Sequence, residues 1–445
     1  MKAVVLDSSI ASDVNSERVC RALITELQNR DWEIEHIIIR EQKIGNCAGD
    51  FFCWIRTPGI CHINDDNRRI AKAVINSDLT VFITSITFGG YSSMLKRAVD
   101  HLIQNISPHF TNIQGETHHQ KRYSKYPDLL VVGWIDSPNA HTEDVFRHLV
   151  KRNAINLYAE KVVCGIVTAN QSDDEITSSV KDWISNLNKD QSIQTVKLPE
   201  SGNTYCPAAG VQRALLLVGS PKTLKSTSNS LGEYLFERLD SQSIKTETTF
   251  LHTTIQSSEK MKALLETIDA VDLVTLAFPL YVDSLPAAVI DALEQIAVHR
   301  QSQEQTRRPL FAAISNCGFP EANQIATALA ICEIFAEQAK FQWAGGLALG
   351  GGHGLGDKTP AEWGKRTAKI RKALDLAAVA LAKGQPISKE AQDIMSKPII
   401  PSWVIQSRAY SLIGGFFWKQ QAKQYGMQKA LRRQPYLVKD YDVIN

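Results

Sequence analysis

The sequence predicts an α/β protein of two tandem, doubly wound domains, each built on a five-stranded parallel sheet, with a C-terminal helical extension. Three observations support this prediction. Short apolar runs alternate with amphipathic helical patterns, the series of runs occurs twice in 445 residues, and a polar segment containing Pro and Gly separates the two series. Nearly continuous apolar strands are typical of parallel sheets covered by helices on both faces. We therefore expect domains at 1–190 and 213–385, a linker at 191–212 and a packing extension at 386–445.

The strand patterns of the two domains follow one another in the same order. Those of the first domain are Lys2–Leu6, Glu33–Ile39, Leu79–Ile86, Asp128–Trp134 and Lys161–Val167. Those of the second domain are Ala214–Val218, Lys245–Leu251, Asp272–Phe278, Pro309–Ile314 and Phe341–Leu349. A helical pattern follows the first strand of each half, at Ser16–Gln28 and Ser230–Leu239. Five strands in each half fit a flavodoxin-like strand order better than a complete dinucleotide-binding fold.

The composition excludes several other classes of protein. Hydrophobic residues make up 44% of the chain, and the net charge of +2 comes without a long basic tract, so we expect no nucleic-acid partner. No run reaches the roughly 18 apolar residues that a membrane span needs, and the first apolar run is too short for a signal peptide. The eight cysteines are widely spaced, unlike those of a disulfide scaffold. We expect a cytoplasmic protein.

The loop after the first strand of the second domain carries the strongest functional signal. A Gly219-Ser220-Pro221 turn follows the buried strand, and a segment rich in hydroxyls leads from it into a helix. Loop N–H groups and hydroxyls that converge beside the positive end of a helix bind phosphate. The predicted phosphate-binding residues are Ser220, Lys222, Ser226, Thr227 and Ser228. The alternative is an ordinary turn with polar surface residues.

Two further loops of the second domain belong to the same predicted site, because ligands of open α/β sheets bind at the carboxyl ends of the strands. One follows the third strand and offers an aromatic face; the other follows the fourth strand. Their predicted contact residues are Pro279, Leu280, Tyr281, Val282, Asn316, Cys317 and Gly318. We expect Cys317 to be a small contact residue rather than a redox thiol. A phosphate pocket beside a stacking loop predicts a mononucleotide with a flat ring, and FMN suits it well.

Five motifs resemble a known family. They are Gly219–Ser228, Ala277–Pro286, Gly350–Gly352, Cys47–Cys61 and Phe88–Ser92. On these motifs the chain resembles two fused members of the NAD(P)H-dependent FMN reductase and iron–sulfur flavoprotein group of flavodoxin-like proteins, over most of residues 1–385. The resemblance implies that the phosphate loop holds the FMN phosphate and that the other two loops lie beside the isoalloxazine ring.

The two halves are unequal in the residues that matter for phosphate. The loop after the first strand of the first domain contains Asp7 and Asp13 but no lysine or arginine. Two carboxylates facing a phosphate dianion would repel it by on the order of 1 kcal/mol or more for each close pair. We therefore expect FMN in the second domain and weak or absent phosphate binding in the first. Because Phe88–Ser92 keeps the ring-contact pattern, the first domain could cap a flavin across an interface or bind another ring.

The cysteine segment of the first domain departs from its relatives. The family spacing places four cysteines around a cluster, whereas this chain has Cys47, Cys53 and Cys61, with Asp50 in the second position. A cubane cluster takes four thiolates. Zinc on the three cysteines and His62 is a further alternative. We prefer a loop that packs without metal, and we predict no metal site.

These observations predict an FMN-dependent oxidoreductase that takes hydride from NADH or NADPH. Its electrons would pass to a quinone, a free flavin or another small acceptor, and the flavin rather than a catalytic side chain would do the chemistry. The alternative is a flavin electron carrier or regulatory module with a protein partner and little NAD(P)H turnover. We expect an internal pseudo-dimer or a homo-oligomer. The aromatic C-terminal segment is predicted to be a packing arm, with a membrane-surface helix as the alternative.

Overall fold

The computed structural model describes residues 1–10, 13–187, 198, 210–303, 307–355, 358–359, 362, 364–399 and 408–437. The chain forms two compact units. Unit 1 comprises Met1–Leu198 and Gln406–Asn445, and unit 2 comprises Pro199–Ile405. The predicted linker, 191–212, lies outside the described residues except for positions 198 and 210–212. The predicted extension is divided between the two units, and its positions 400–407 and 438–445 also lie outside the described residues.

Unit 1 is built on a parallel sheet of five strands. Its strands are β1 (Lys2–Asp7), β2 (Glu33–Ile38), β3 (Leu79–Thr87), β4 (Gly90–Tyr91), β5 (Ile106–Ile113), β6 (Glu116–Lys121), β7 (Asp128–Ile135) and β8 (Val162–Thr168). The main sheet has the order β2-β1-β3-β7-β8, the two-residue β4 pairs with β3, and β5 and β6 form a separate hairpin. The strand patterns predict the five sheet strands to within three residues. They do not predict the β5–β6 hairpin.

Helices cover both faces of this sheet. They are α1 (Val14–Asn29), α2 (Phe52–Ile55), α3 (Asn67–Ile75), α4 (Ser93–His101), α5 (Ala140–Asn156) and α6 (Asp173–Asn186). On one face, Val5 packs with Leu23 of α1 and Val180 of α6 in a buried core. On the other face, Tyr91 lies edge-on to Phe82 of β3 and to Phe146 of α5, both at 6.0 Å between ring centroids. Burial on both faces explains the continuous apolar strand patterns.

Unit 2 repeats this architecture. Its elements are β9 (Arg213–Val218), α7 (Thr227–Asp240), β10 (Lys245–Phe250), α8 (Leu251–Thr254), α9 (Ser258–Ala270), β11 (Leu273–Pro279), α10 (Ala287–Gln301), β12 (Leu310–Asn316), α11 (Ala326–Gln338), β13 (Gln342–Leu349), α12 (Ala368–Ala382) and α13 (Lys389–Ser396). The sheet order is β10-β9-β11-β12-β13. Both sheets therefore have the order 2-1-3-4-5, which confirms the predicted α/β class of two flavodoxin-like sheets with C-terminal helices.

The two sheets correspond residue by residue at the ends of their strands. Ser8 N–H donates to the Ile83 carbonyl at 3.0 Å, and Gly219 N–H donates to the Ala277 carbonyl at 2.8 Å. Each bond joins the residue just after the first strand to the third strand of its own sheet. Asp7 and Val218, the last residues of β1 and β9, are therefore equivalent positions.

The C-terminal segment completes unit 1. Helix α14 (Arg408–Lys423) leads to a turn-rich tail in which Tyr436 is fully buried. The Tyr436 hydroxyl donates to Gln104 Oε1 at 2.6 Å. The buried Arg122 guanidinium donates to the carbonyls of Leu431 and Arg433 at 3.0 and 2.8 Å. Among the described residues, no helix combines the length and the apolar character that crossing a bilayer requires.

Candidate functional site

The candidate site lies at the carboxyl end of the unit 2 sheet, beginning with the turn after β9. A Cβ atom on Gly219 would lie 2.5 Å from Val289 Cγ2 and 3.0 Å from Phe278 Cβ. Only glycine fits this position without displacing its neighbours, so the chain leaves the strand in close contact with β11 and α10. The loop that follows Gly219 ends at Ser226, the N-cap of α7.

The hydroxyls of Ser226 and Thr227 have structural partners. Ser226 Oγ accepts the Asn229 N–H at 3.1 Å and donates to the Thr223 carbonyl at 2.7 Å, so this residue is the N-cap of α7. Thr227 Oγ1 donates to the Gly352 carbonyl at 3.1 Å. These two predicted phosphate ligands therefore shape the loop with their hydroxyls.

The hydroxyls of Ser220 and Ser228 have protons available for a ligand. Ser220 Oγ accepts the Lys222 N–H at 3.3 Å, and Ser228 Oγ accepts an amide hydrogen of Asn316 at 2.8 Å. Both side chains are buried, and neither hydroxyl proton donates to another described residue. Lys222 is on the exposed side of the same loop. The segment that leads from β9 into the first turn of the 14-residue helix α7 thus offers two hydroxyl donors.

The loop after β11 is a tight hairpin. Tyr281 N–H donates to the Ser284 carbonyl at 2.9 Å, and Ser284 N–H donates to the Tyr281 carbonyl at 3.1 Å. The two central residues, Val282 and Asp283, have φ of +45° and +58°. Positive φ at both positions is typical of type I′ hairpins, but it is unfavourable for a β-branched valine. Strain of this kind concentrates at ligand-binding sites.

A buried polar atom in this hairpin has no partner among the described residues. Ser284 Oγ is inaccessible to solvent and makes no hydrogen bond there, and the same holds for Ser315 Oγ at the end of β12. Asn229 Oδ1, in the first turn of α7, is also buried without a partner. An unmade hydrogen bond of a buried polar group costs about 1–3 kcal/mol. Three such atoms near the strand ends indicate that a polar ligand fits here.

Asn316 joins the three loops. Its side-chain amide donates to Ser228 Oγ at 2.8 Å and to the Phe278 carbonyl at 3.4 Å. Its backbone carbonyl accepts the Leu280 N–H at 2.8 Å. Asn316 therefore connects the first turn of α7, the loop after β11 and the end of β12.

The remaining residues of the third loop pack against a glycine run. Cys317 Sγ donates to the Phe319 carbonyl at 3.2 Å, and burial raises the pKa of this thiol to about 12. Gly318 is exposed. A Cβ on Gly350 would lie 2.2 Å from the Pro320 carbonyl oxygen, so the backbone after β13 approaches this loop closely. The Cys317 thiol is therefore protonated at neutral pH and serves packing.

In unit 1, the donors that follow β1 form hydrogen bonds to the two carboxylates of the same segment, Asp7 and Asp13. Asp7 Oδ1 accepts the Ser9 N–H at 2.9 Å and also the Ser9 hydroxyl. Asp13 caps α1 by accepting the N–H groups of Asn15 and Ser16. Burial opposes the charge on Asp7, but hydrogen bonds from His36 and Ser9 hold the pKa of this carboxyl below its ordinary value of 3.8. The N–H and hydroxyl of Ser9 and the first N–H groups of α1 therefore already donate to carboxylates and are not available to a phosphate.

A cluster that the sequence analysis did not identify lies beside this loop. Asp7, Cys20 and His36 each place one ligand atom within 4.8 Å of the others. His36 Nε2 is 3.1 Å from Asp7 Oδ2 and 3.5 Å from Cys20 Sγ. The three residues come from β1, α1 and β2, so their spacing in the sequence follows no metal-binding motif. The available signal was that an aspartate and a histidine, Asp7 and His36, lie on neighbouring predicted strands.

Comparison with known proteins supports the resemblance drawn from the motifs. Residues 1–149 match the family described as NADPH-dependent FMN reductase. The matched residues lie within unit 1. A curated relative named iron-sulfur flavoprotein, from Archaeoglobus fulgidus, is 26% identical over 103 residues, which are 23% of this chain and 46% of the relative. The aligned part is therefore less than half of that relative.

Solved structures of flavin enzymes also resemble the chain. An FMN-dependent NADH-azoreductase from Bacillus anthracis, in complex with FMN, is 14% identical with a TM-score of 0.30, and the match covers 38% of this chain and 99% of the azoreductase. An NAD(P)H:quinone oxidoreductase from Methanothermobacter marburgensis is 16% identical with a TM-score of 0.28, covering 40% of this chain and 98% of the other.

The cysteine segment of unit 1 does not fit a cluster with four thiolate ligands. It supplies three thiols, from Cys47, Cys53 and Cys61. Asp50 Oδ1 accepts the Phe52 N–H at 2.9 Å, and its Oδ2 lies 3.4 Å from His62 Nδ1. We therefore derive no electron-transfer step through an iron–sulfur cluster.

Proposed function

We propose that the chain is an FMN-dependent NAD(P)H oxidoreductase whose FMN is held by unit 2. The observation that carries this proposal is the position of Asn316, which ties the loop with two available hydroxyl protons to the hairpin and to the third loop. A ligand with a phosphate at one end and a flat ring at the other matches the chemistry of these loops.

The phosphate would be held by the hydroxyls of Ser220 and Ser228, the first-turn N–H groups of α7 and the Lys222 ammonium. Ser226 and Thr227 would support them by holding the loop in shape, through the helix cap and the bond to Gly352. Hydrogen bonds to a charged acceptor contribute about 1.5–3 kcal/mol each. These residues are therefore the principal source of affinity in the proposed site.

The ring would lie against Pro279–Val282, with its polar edge toward the loop at Asn316–Gly318. Both hydrogens of the Asn316 amide are used within the protein, so backbone N–H groups such as that of Gly318 would serve the edge where negative charge grows on reduction. Bound FMN supplies the hydride acceptor that the side chains lack. NADH or NADPH would be the donor, and a quinone, a free flavin or another small molecule would be the acceptor.

The decisive experiment measures FMN stoichiometry and affinity in the full chain. We expect one FMN per chain in the wild type, with binding about tenfold or more weaker in Ser228→Ala, because one hydrogen bond to the phosphate is lost. Ser228→Thr should restore binding, since it keeps the hydroxyl. Ser230→Ala is the matched control: its hydroxyl lies two residues further along α7 and bonds to the Ser226 carbonyl.

Equal FMN affinity in the wild type, Ser228→Ala and Ser230→Ala would overturn the proposed site. A colourless protein that ignores added FMN would overturn the proposed cofactor. The rate of NAD(P)H oxidation by the FMN-loaded protein then separates the two functions considered above. Fast turnover is the expected result, whereas tight FMN with very slow turnover would favour an electron carrier.

A further inference from the structure

The cluster of Asp7, Cys20 and His36 is assembled by the fold of unit 1. Val5 pairs with His36 across the β1–β2 ladder, and Asp7 stands two residues beyond Val5. Side chains two residues apart on a strand point to the same face. Val5 and Cys20 belong to one buried core, so this is the face that α1 covers. Three elements therefore direct an oxygen, a sulfur and a nitrogen atom to one place.

The geometry points to a binding site for a divalent cation of the zinc class, with Asp7 Oδ2, Cys20 Sγ and His36 Nε2 as its protein ligands. Zinc bonds of 2.0–2.3 Å at tetrahedral angles place neighbouring ligand atoms about 3.3–3.6 Å apart. The observed separations from His36 Nε2 are 3.1 Å to the oxygen and 3.5 Å to the sulfur. The third separation, between an Asp7 carboxylate oxygen and Cys20 Sγ, is within 4.8 Å.

The donor set is chemically selective. One thiolate, one imidazole and one carboxylate suit zinc and related first-row ions, whereas calcium and magnesium prefer oxygen ligands alone. Three protein ligands leave the fourth tetrahedral position open for water or for a small ligand. The His36 side chain is 27% exposed, so an ion has a path from solvent.

The residues around the cluster hold the ligands in place. Ser9 donates both its N–H and its hydroxyl to Asp7 Oδ1, which leaves Oδ2 directed at His36. Support of this kind orients metal-binding carboxylates, and its loss typically costs 10–100-fold in metal affinity. The first strand of unit 1 thus ends in a cation ligand, Asp7, whereas that of unit 2 ends in Val218 and is followed by the proposed anion-binding loop.

Cobalt(II) titration of the full chain, after dialysis against a chelator, tests the site. We expect one equivalent of cobalt to give a thiolate-to-cobalt charge-transfer band, and zinc to abolish this band by displacement. Cys20→Ser should lose the band, His36→Ala should weaken binding at least tenfold, and Ser9→Ala should weaken it about tenfold. Cys164→Ser, which removes a different partly buried thiol from unit 1, should behave as wild type.

Two results would overturn the site. The wild type could give no charge-transfer band, or the band could persist in Cys20→Ser and disappear in Cys61→Ser, which would place the ion in the cysteine segment. Thermal unfolding gives an independent check, because zinc should raise the midpoint of the wild type and of Cys164→Ser but not that of Cys20→Ser. Far-UV circular dichroism establishes that each variant is folded before titration.

Discussion

The loops that follow the first strand of each unit share a backbone arrangement but differ in the charge of the residue that precedes them. In both, the first loop residue donates its N–H to the third strand, and a serine follows immediately. The strand-end residue is Val218 in unit 2 and Asp7 in unit 1. In unit 1 that carboxylate binds the following serine, whereas in unit 2 the serine hydroxyl proton is available. On the two proposals made above, this side chain distinguishes a loop that takes an anion from a loop beside a cation.

The largest effect is expected from giving unit 2 the unit 1 residue. Val218→Asp would place a carboxylate at a position with no solvent exposure and an apolar environment. An unpaired buried charge destabilises a domain by about 3–5 kcal/mol. Hydrogen exchange resolved by peptide should show loss of protection in unit 2, with unit 1 as the internal reference. Unchanged protection would mean that the surroundings of Val218 accept a carboxylate, as those of Asp7 do.

The glycine after β9 should be the next most sensitive position. Gly219→Ala would press a methyl group against Val289 and Phe278, and overpacking of this kind costs about 1–3 kcal/mol. Gly354→Ala, at a glycine of unit 2 where an added Cβ would meet no atom within 4 Å, serves as the control. Urea denaturation followed by peptide-resolved hydrogen exchange should show a lower unfolding midpoint for unit 2 in Gly219→Ala alone.

The equivalent serines should differ in their effect on FMN. Ser220→Ala removes a hydroxyl with an available proton and should weaken FMN binding about tenfold. Ser9→Ala removes a hydroxyl that donates to Asp7 and should leave FMN affinity unchanged. Equilibrium titration of the flavin-free protein gives both constants. A larger effect from Ser9→Ala than from Ser220→Ala would place the flavin in unit 1.

The smallest expected effect is on the pH dependence of stability. It should differ between the units because only the first strand of unit 1 ends in a carboxylate, Asp7. Because the pKa of Asp7 is lower in the folded chain than its ordinary value of 3.8, its charged form stabilises unit 1 above that pH. The contribution is lost as the pH falls through the folded pKa. In metal-free protein, the stability of unit 1 should therefore decrease below about pH 4, and Asp7→Asn should flatten this decrease. An equally steep profile in Asp7→Asn would assign the acid sensitivity to other groups.

Residues of particular elements explain why sequence reasoning succeeded for the sheets and failed elsewhere. Leu215–Leu217 and Leu129–Val132 are buried on both faces, and their continuous apolar patterns identify parallel strands directly. The β5–β6 hairpin has polar, mixed strands, such as ETHHQK at Glu116–Lys121, which carry no such pattern. The tail was predicted to pack, but not where, because its bonds join residues more than 300 positions apart, Arg122 to Leu431 and Tyr436 to Gln104.

The order of the loops along the chain identified the predicted site residues, but it did not show the separate role of each residue. All twelve lie on the three loops at the strand ends of unit 2, and the binding role of each stays a prediction. Ser226 and Ser228 are indistinguishable in the motif, yet one caps a helix and the other accepts from Asn316. Asn316 was predicted as a ring contact, and in the structure its amide hydrogens bond within the protein.

The amino-acid sequence by itself determined the α/β class, the twofold repetition of the strands and the contrast between a loop rich in hydroxyls and a loop with carboxylates. Those properties depend on local patterns of burial and charge, which are written along the chain. Only the tertiary structure decided which hydroxyl protons are available, how Asn316 joins three loops and how Asp7 meets Cys20 and His36. Hydrogen bonds and ligand distances depend on atoms brought together by the packing of separate elements, and spacing along the chain does not encode them.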